Sequence, residues 1–481
     1  MCPSLALIGS LCRRTWRDRP SSASREGSDM CRIRNRNGQS VTIFVIMIVI
    51  LGGIVALAFD MGRGYLQKAD MQSAADAAAL AGARELPYTS AAADAALDYA
   101  ARNGFAHGQD GVVISTFPHA SVPSWYVVEL SKPSQHLLAP LIGRFSAPVS
   151  VYAVAEFNTY VPLDISGGGV YGANGVMTLS VFGPYAYYSY GDALSPRWLN
   201  NGSPNPDHKP NGYDFMINVP SNYYSINGTN EMRVEIFDPD TWNNGGNDAY
   251  PGVRIDEIRS APASPHPQPA NIRNTTVYSL YAPDSTPGDF TDDVLIAQAV
   301  YGPDTGSLTD MKWVTPQGFE FSVSDYGIGN YRLNVNSTDG SSENGFNLRA
   351  GPPSAAFNPA NGTAITANGA LPINFNNSGT VTVNLGFVPA EAAGMKIHVN
   401  KFDTDVGAKY VQYACDTLGG TWSGALSSNG TWKEDTITIP SEYSGGNWSA
   451  TYYAGLQDTS VWTMWFEGVV DGMPGFVRLV K

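Results

Sequence analysis

Hydrophobic patterning divides the chain into three textures. The first is Val41–Phe59, VTIFVIMIVILGGIVALAF, nineteen residues without a formal charge. At 1.5 Å per residue this run spans about 28 Å as a helix, close to the hydrocarbon thickness of a bilayer. No proline follows until Pro87. The pattern therefore predicts a transmembrane helix over 38–60 that continues, unbroken, as a stalk through MGRGYLQKADMQSAADAAALAGAREL, residues 61–86. Along the stalk Ala69, Ser73, Ala77 and Ala81 recur at i+4, with Ala74, Ala78 and Gly82 beside them. Small residues at that spacing let helices approach closely, so this face is a candidate for packing, including against another copy of the chain. The helix propensity of alanine accounts for the same composition without any partner.

The second texture, residues 88–160, is mixed. Thr89-Ser90 is placed to cap a helix running to Ala101, with Asn103-Gly104 as its stop. Gly111–Phe117 and Trp125–Leu130 read as strands, Pro133–Phe145 as a short helix and Val149–Phe157 as a final strand. From about residue 165 helical periodicity fades. Short alternating runs sit between Asn-Gly, Asp-Gly and Pro turns: Tyr213–Val219, Met232–Phe237, Val277–Tyr281, Val294–Tyr301, Tyr331–Val335, Val381–Phe387, Met395–Val399 and Trp462–Phe466. This spacing predicts two antiparallel β-sandwich modules, 165–352 and 357–481, separated at Gly351-Pro352-Pro353. The proline-rich stretch 261–269 reads as a surface loop or an internal boundary.

Charge orients the chain. Eight arginines (Arg13, Arg14, Arg17, Arg19, Arg25, Arg32, Arg34, Arg36) face three acids in the first forty residues, a net +5. Beyond the apolar run stand Asp60, Arg63 and Lys68. Positive charge near a span stays cytoplasmic, which predicts a cytoplasmic leader over 1–37 and an extracytoplasmic body. The run is longer than a signal-peptide core and no A-x-A site precedes a plausible mature start, so a retained anchor is expected. Met30 opens a compact basic leader and is an alternative start. The net charge of −14 leaves −19 for everything after residue 40. A body so acidic lacks the basic face that nucleic-acid binding requires. Three of the four cysteines, Cys2, Cys12 and Cys31, precede the span. Cys415 is alone beyond it and is expected to be a buried small hydrophobe.

Asn37-Gly38-Gln39-Ser40 leading into the apolar run, followed by AFDMGRGYLQKADMQSAADAAALAGA, resembles the N-terminal domain of TadE/TadG-like Flp pilus-assembly proteins. Its most specific part is Asp60-Met61-Gly62-Arg63, then Asp70-Met71-Gln72 and the alanine tract Ala74–Ala81. Asp60 and Arg63 stand one turn apart, as a membrane-boundary pair. The resemblance implies a non-catalytic, membrane-anchored accessory of a tight-adherence system. Its partners would be the lipid bilayer, other pilus-assembly and secretion components, and its own copies through the span and stalk. It also implies a pilin-like α/β unit over 61–160. Pilins cut by a prepilin peptidase usually carry Glu five residues after the cut; Ile43 stands there, which argues against processing at Gly38. The D-x-S-x-S metal site carried by some relatives is absent from the sequence.

Motif chemistry is sparse. Gly167-Gly168-Gly169-Val170-Tyr171-Gly172 satisfies G-x-G-x-x-G but opens no helix, so it reads as a linker. The six histidines are isolated in sequence, with His208 and His266 expected to be solvated. Two acidic clusters carry hard oxygen ligands: Asp238-Pro239-Asp240 with Asn243 and Asp248, and Asp403-Thr404-Asp405. The set Asp238, Asp240, Asn243 and Asp248 is a candidate structural calcium site, against the alternative of plain Asx-turns. Tyr185, Tyr187, Tyr188 and Tyr190, with Trp422, Trp432, Trp448, Trp462 and Trp465, fit either a glycan-stacking surface or sandwich cores, and core placement is the expectation. A surface carbohydrate-binding or adhesin protein on the same anchor is the alternative reading.

Overall fold

A computed structural model of the chain describes residues 37–135, 146–165, 177–241, 249–250, 253–263, 265–284, 290, 292–303, 308–353, 363–375, 379–404, 410–454, 458–470, 473 and 475–480. The leader, the Gly167–Gly172 linker, Asn243, Asp248 and Asp405 lie outside the described residues. The expected span and stalk form one helix, α1 (Asn37–Arg84). By packing the chain divides into two compact units. One holds α1 as far as Arg63; the other holds Gly64–Gln135 with Ser146–Lys481.

In the second unit the stalk docks on a small α/β assembly. Helix α2 (Thr89–Arg102) stops at Asn103, with Gly104 at φ +88, as the sequence predicts. Its N-cap is Tyr88 and no side chain caps it, so the Thr89-Ser90 cap does not form. Three antiparallel strands follow: β1 (Val113–Pro118), β2 (Trp125–Gln135) and β3 (Ser146–Tyr160). The helix expected to begin at Pro133 is therefore strand as far as Gln135, and 136–145 lies outside the described residues. Pairing overrides the local signal there, with Pro133 opposite Pro148 and Gln135 opposite Ser146.

The packing stripe of the stalk is displaced from Ala69, Ser73, Ala77 and Ala81. Ala69 and Ser73 are exposed and Ala77 and Ala81 half-buried. The adjacent stripe, Met71, Ala75, Ala79, Ala83 and Leu86 with Ala74 and Ala78, is buried instead. It packs with Ala92, Ala96 and Ala100 of α2 and with Ile114, Tyr126, Val128 and Leu130 of the sheet. The large apolar ends of the stripe, Met71 and Leu86, fix the rotation of the helix, because alanine faces differ little in the area they bury.

The β-rich remainder pairs antiparallel throughout the described strands. One sheet runs β1-β2-β3, then Asp458–Glu467, Leu371–Phe375, Met177–Phe182, Glu343–Gly351 and Glu231–Phe237. A second runs Leu295–Tyr301, Thr275–Tyr281, Gly329–Asp339, Tyr213–Val219 and Ala364–Ala367. A third holds Gly379–Val388, Gly446–Ala454, Val411–Cys415 and Thr421–Gly424. Each expected strand appears, several longer than expected: Met395–Val399 becomes Lys396–Phe402 and Trp462–Phe466 becomes Asp458–Glu467.

Strand pairing crosses the expected boundaries at 160/165 and 352/357. Leu371–Phe375 pairs with Met177–Phe182, and Ala364–Ala367 with Tyr213–Val219. β3 pairs with Asp458–Glu467 and with Gly475–Leu479. The described strands on either side of residue 352 thus share sheets and one apolar core, which includes Phe215, Phe346, Ile373, Trp448 and Trp462. The antiparallel, multi-sheet β-rich layout expected of this region is present, and Gly351-Pro352-Pro353 stands at the end of the strand Glu343–Gly351.

Candidate membrane and assembly segment

Apolar residues cover every side of α1 between Val41 and Phe59. Val41, Val49 and Val55 are 63%, 68% and 67% exposed, and the intervening Ile, Leu and Phe residues are more than half exposed. A helix that is apolar all round, and whose apolar run is left uncovered by the described residues, is suited to lipid. Among the described residues it is the one helix long and apolar enough to cross a membrane. Where the apolar run ends, Asp60 is buried at 5% and Arg63 is exposed.

The join between stalk and sheet depends on Gly82. A Cβ there would lie 2.3 Å from Cε1 of Tyr126 and 3.0 Å from the carbonyl oxygen of Ala92. Only glycine lets the helix backbone meet the buried Tyr126 ring and α2 together. Nearly three turns earlier, Gln72 Nε2 donates to the Tyr152 carbonyl of β3 at 3.1 Å and to Asp76 Oδ1 at 2.8 Å. Gly82→Val should destabilise this α/β assembly by about 1–3 kcal/mol through overpacking, read as a lower urea midpoint for α-helical signal. An unchanged midpoint would show that the stalk is not held at this crossing.

The candidate calcium residues divide. Asp238 is fully buried at φ +48, directly after the strand Glu231–Phe237. Asp240 is also fully buried and its Oδ2 accepts the Thr309 hydroxyl at 2.6 Å. Asp403 repeats the first arrangement after Lys396–Phe402, at φ +56. Short polar side chains tolerate this left-handed backbone better than branched ones. A different acidic group, Asp284, Asp292 and Asp293, brings carboxylate oxygens within 4.8 Å of one another.

Several polar groups that pattern reading missed are buried. His266 is 6% exposed, with Nε2 3.1 Å from the Asn200 carbonyl, and His208 Nδ1 lies 3.1 Å from the Leu194 carbonyl. Neither is simply solvated. His398 stacks on Trp465 at 3.9 Å and meets Glu434 and Glu467 through its two ring nitrogens, at 2.9 and 3.1 Å. Strand pairing alone brings these groups together, and no sequence spacing marks them. Cys415 is buried, as expected. Trp448, Trp462 and Trp465 are buried, while Trp422, Trp432 and Tyr185, Tyr187, Tyr188 and Tyr190 are half-buried.

Residues 38–85 match the Tad family model, described as Flp pilus-assembly TadE/G-like. No curated protein matches the chain in sequence. The matched stretch coincides with α1 almost residue for residue, taking in the lipid-suited run, Asp60, Arg63 and the buried stripe from Met71 to Ala83. Residues 38–85, and with them nearly all of α1, are thus similar to the TadE/G-like Flp pilus-assembly family.

Proposed function

We propose that the chain is a non-catalytic, single-pass component of a Flp/Tad-type pilus-assembly apparatus, its N-terminus cytoplasmic and its β-rich body outside. The observation that carries this reading is α1 itself. One helix supplies a lipid-suited face on every side as far as Phe59 and then, without a break, the stripe on which the α/β assembly packs. Such a helix anchors and presents; it contributes no reactive group. The arginines ahead of the run support the inward orientation of the N-terminus. Contacts with other pilus components are assigned to the body and to the exposed face of the stalk that includes Ala69 and Ser73.

Orientation and role are tested together in cells. Protease added to spheroplasts should digest the body and spare a tag placed at the N-terminus. Deletion of the gene should abolish surface export of the pilus subunit, with restoration by the full-length chain. A digested tag would overturn the orientation, and normal pilus export in the deletion strain would overturn the role.

A further inference from the structure

Lys401 is fully buried, an ammonium group placed inside the β-rich body where desolvation is costly. Its strand, Lys396–Phe402, pairs with Trp432–Thr438, with Lys401 opposite Lys433 and Val399 opposite Asp435. Lys401 and Asp435 therefore stand two positions apart on neighbouring strands and share one face. Nζ lies 2.5 Å from Asp435 Oδ2. The same oxygen accepts the hydroxyl of the fully buried Tyr413 at 2.6 Å, and Asp435 Oδ1 accepts the Ala425 N–H at 3.2 Å. Space for this carboxyl comes from Gly424, where a Cβ would fall 1.8 Å from Oδ2 and 2.4 Å from Cγ.

We propose that Lys401 and Asp435 condense to an intramolecular amide, a covalent cross-link between the two strands. Burial lowers the proton affinity of the Lys401 amine, against the opposing pull of Asp435. Proton transfer within the pair gives a neutral amine and a carboxylic acid, the forms that react. The nitrogen lone pair attacks Asp435 Cγ, forming the C–N bond and moving the carbonyl electron pair onto Oδ1, where the Ala425 N–H stabilises the developing charge. Oδ2 carries one proton already. It takes a second directly from the attacking nitrogen beside it, and the Cγ–Oδ2 bond breaks to release water. Asp435 is 14% exposed, which gives that water a way out. No oxidant, metal or second substrate enters the balance. The product replaces two buried charges with one neutral amide.

The position gives the bond a purpose. Among the described strands Trp432–Thr438 pairs only with Lys396–Phe402, so it is an edge strand. Cys415 is the one cysteine beyond the span, so no disulfide within a single chain can staple the body. An amide would hold this edge against fraying and edge-to-edge association.

Mass spectrometry of the wild-type chain, purified whole in detergent, decides the matter. After proteolysis, the peptide containing Lys401 and the peptide containing Asp435 should appear as one joined species, lighter than their sum by one water. The Lys401→Met chain should give only separate peptides. Folding of each sample is checked by circular dichroism. Separate, full-mass peptides from a folded wild-type chain would overturn the cross-link and leave an ordinary ion pair. A joined species persisting in Lys401→Met would overturn the assignment to Lys401.

Discussion

Arg332→Leu should unfold the body at markedly lower urea, with a loss of about 3–5 kcal/mol, the range for removing one partner of a buried ion pair. The guanidinium is 9% exposed and bonds two carboxylates: Nη1 to Asp214 Oδ1 at 2.8 Å and Nε to Asp293 Oδ2 at 2.6 Å. It also lies between two rings, 3.9 Å from the centroid of Tyr281 and 4.4 Å from that of Phe290. Removing it takes from Asp214 and Asp293, 15% and 6% exposed, the partner they share, and leaves Lys209 as a cation that still acts on Asp214. The double variant Arg332→Leu with Asp293→Asn should lose less than the sum of the single changes, because one stranded charge is gone. Additive losses, or a loss under about 1 kcal/mol, would show that the cluster behaves like an exposed surface pair.

The second large effect is a dependence on pH centred on Glu343. This carboxyl is fully buried, and burial is the chief cause that lifts it from an ordinary 4.5 to about 7, with Glu257 adding to the rise. Ser180 Oγ, Asn374 Nδ2 and Thr459 Oγ1 donate to its Oε1 at 2.6, 2.7 and 3.2 Å, which moderates the rise. Among the described residues its Oε2 has no partner. A group held above its unfolded value binds its proton more tightly in the folded chain. The folded chain is favoured by that proton in full below about 4.5, and the advantage disappears as pH rises through about 7. The difference amounts to about 3 kcal/mol. Between pH 5 and 8 the wild-type body should lose stability on this account, whereas Glu343→Gln, neutral throughout, should show a flatter profile and exceed wild type at pH 8. Parallel profiles for the two proteins would refute the assignment.

Legibility in the sequence followed the range of the interaction. The span and stalk were readable because nineteen uncharged residues and an uninterrupted alanine tract act within one helix. Strands were readable from alternation, a local property. The phase of the stalk was not, since every face of 69–83 is rich in small residues. The signal that could have found it was the pair Met71 and Leu86, large apolar residues bracketing the tract on one stripe. Sheet order left no local mark: nothing in LPINF announces Met177–Phe182 and Asp458–Glu467 as its neighbours. For the same reason Glu343, Lys401, Asp435 and His398 were invisible as sites, each looking like one polar residue in an alternating strand.

The pairing of β3 with Gly475–Leu479 bears on how the protein is made. Arg478 Nε donates to Glu156 Oε2 at 2.8 Å across 322 residues of chain. In the proposed orientation the N-terminus stays inside and the body crosses in chain order behind the span, so β3 is presented long before its partner strand emerges. Until then β3 lacks that neighbour and leaves the backbone N–H and C=O groups of that edge unpaired. Contacts this distant in sequence slow folding, because loop closure must precede them. Export should thus pass through a long-lived, protease-sensitive stage that ends abruptly once residues 475–479 have crossed, and an escort that shields open strand edges would shorten it.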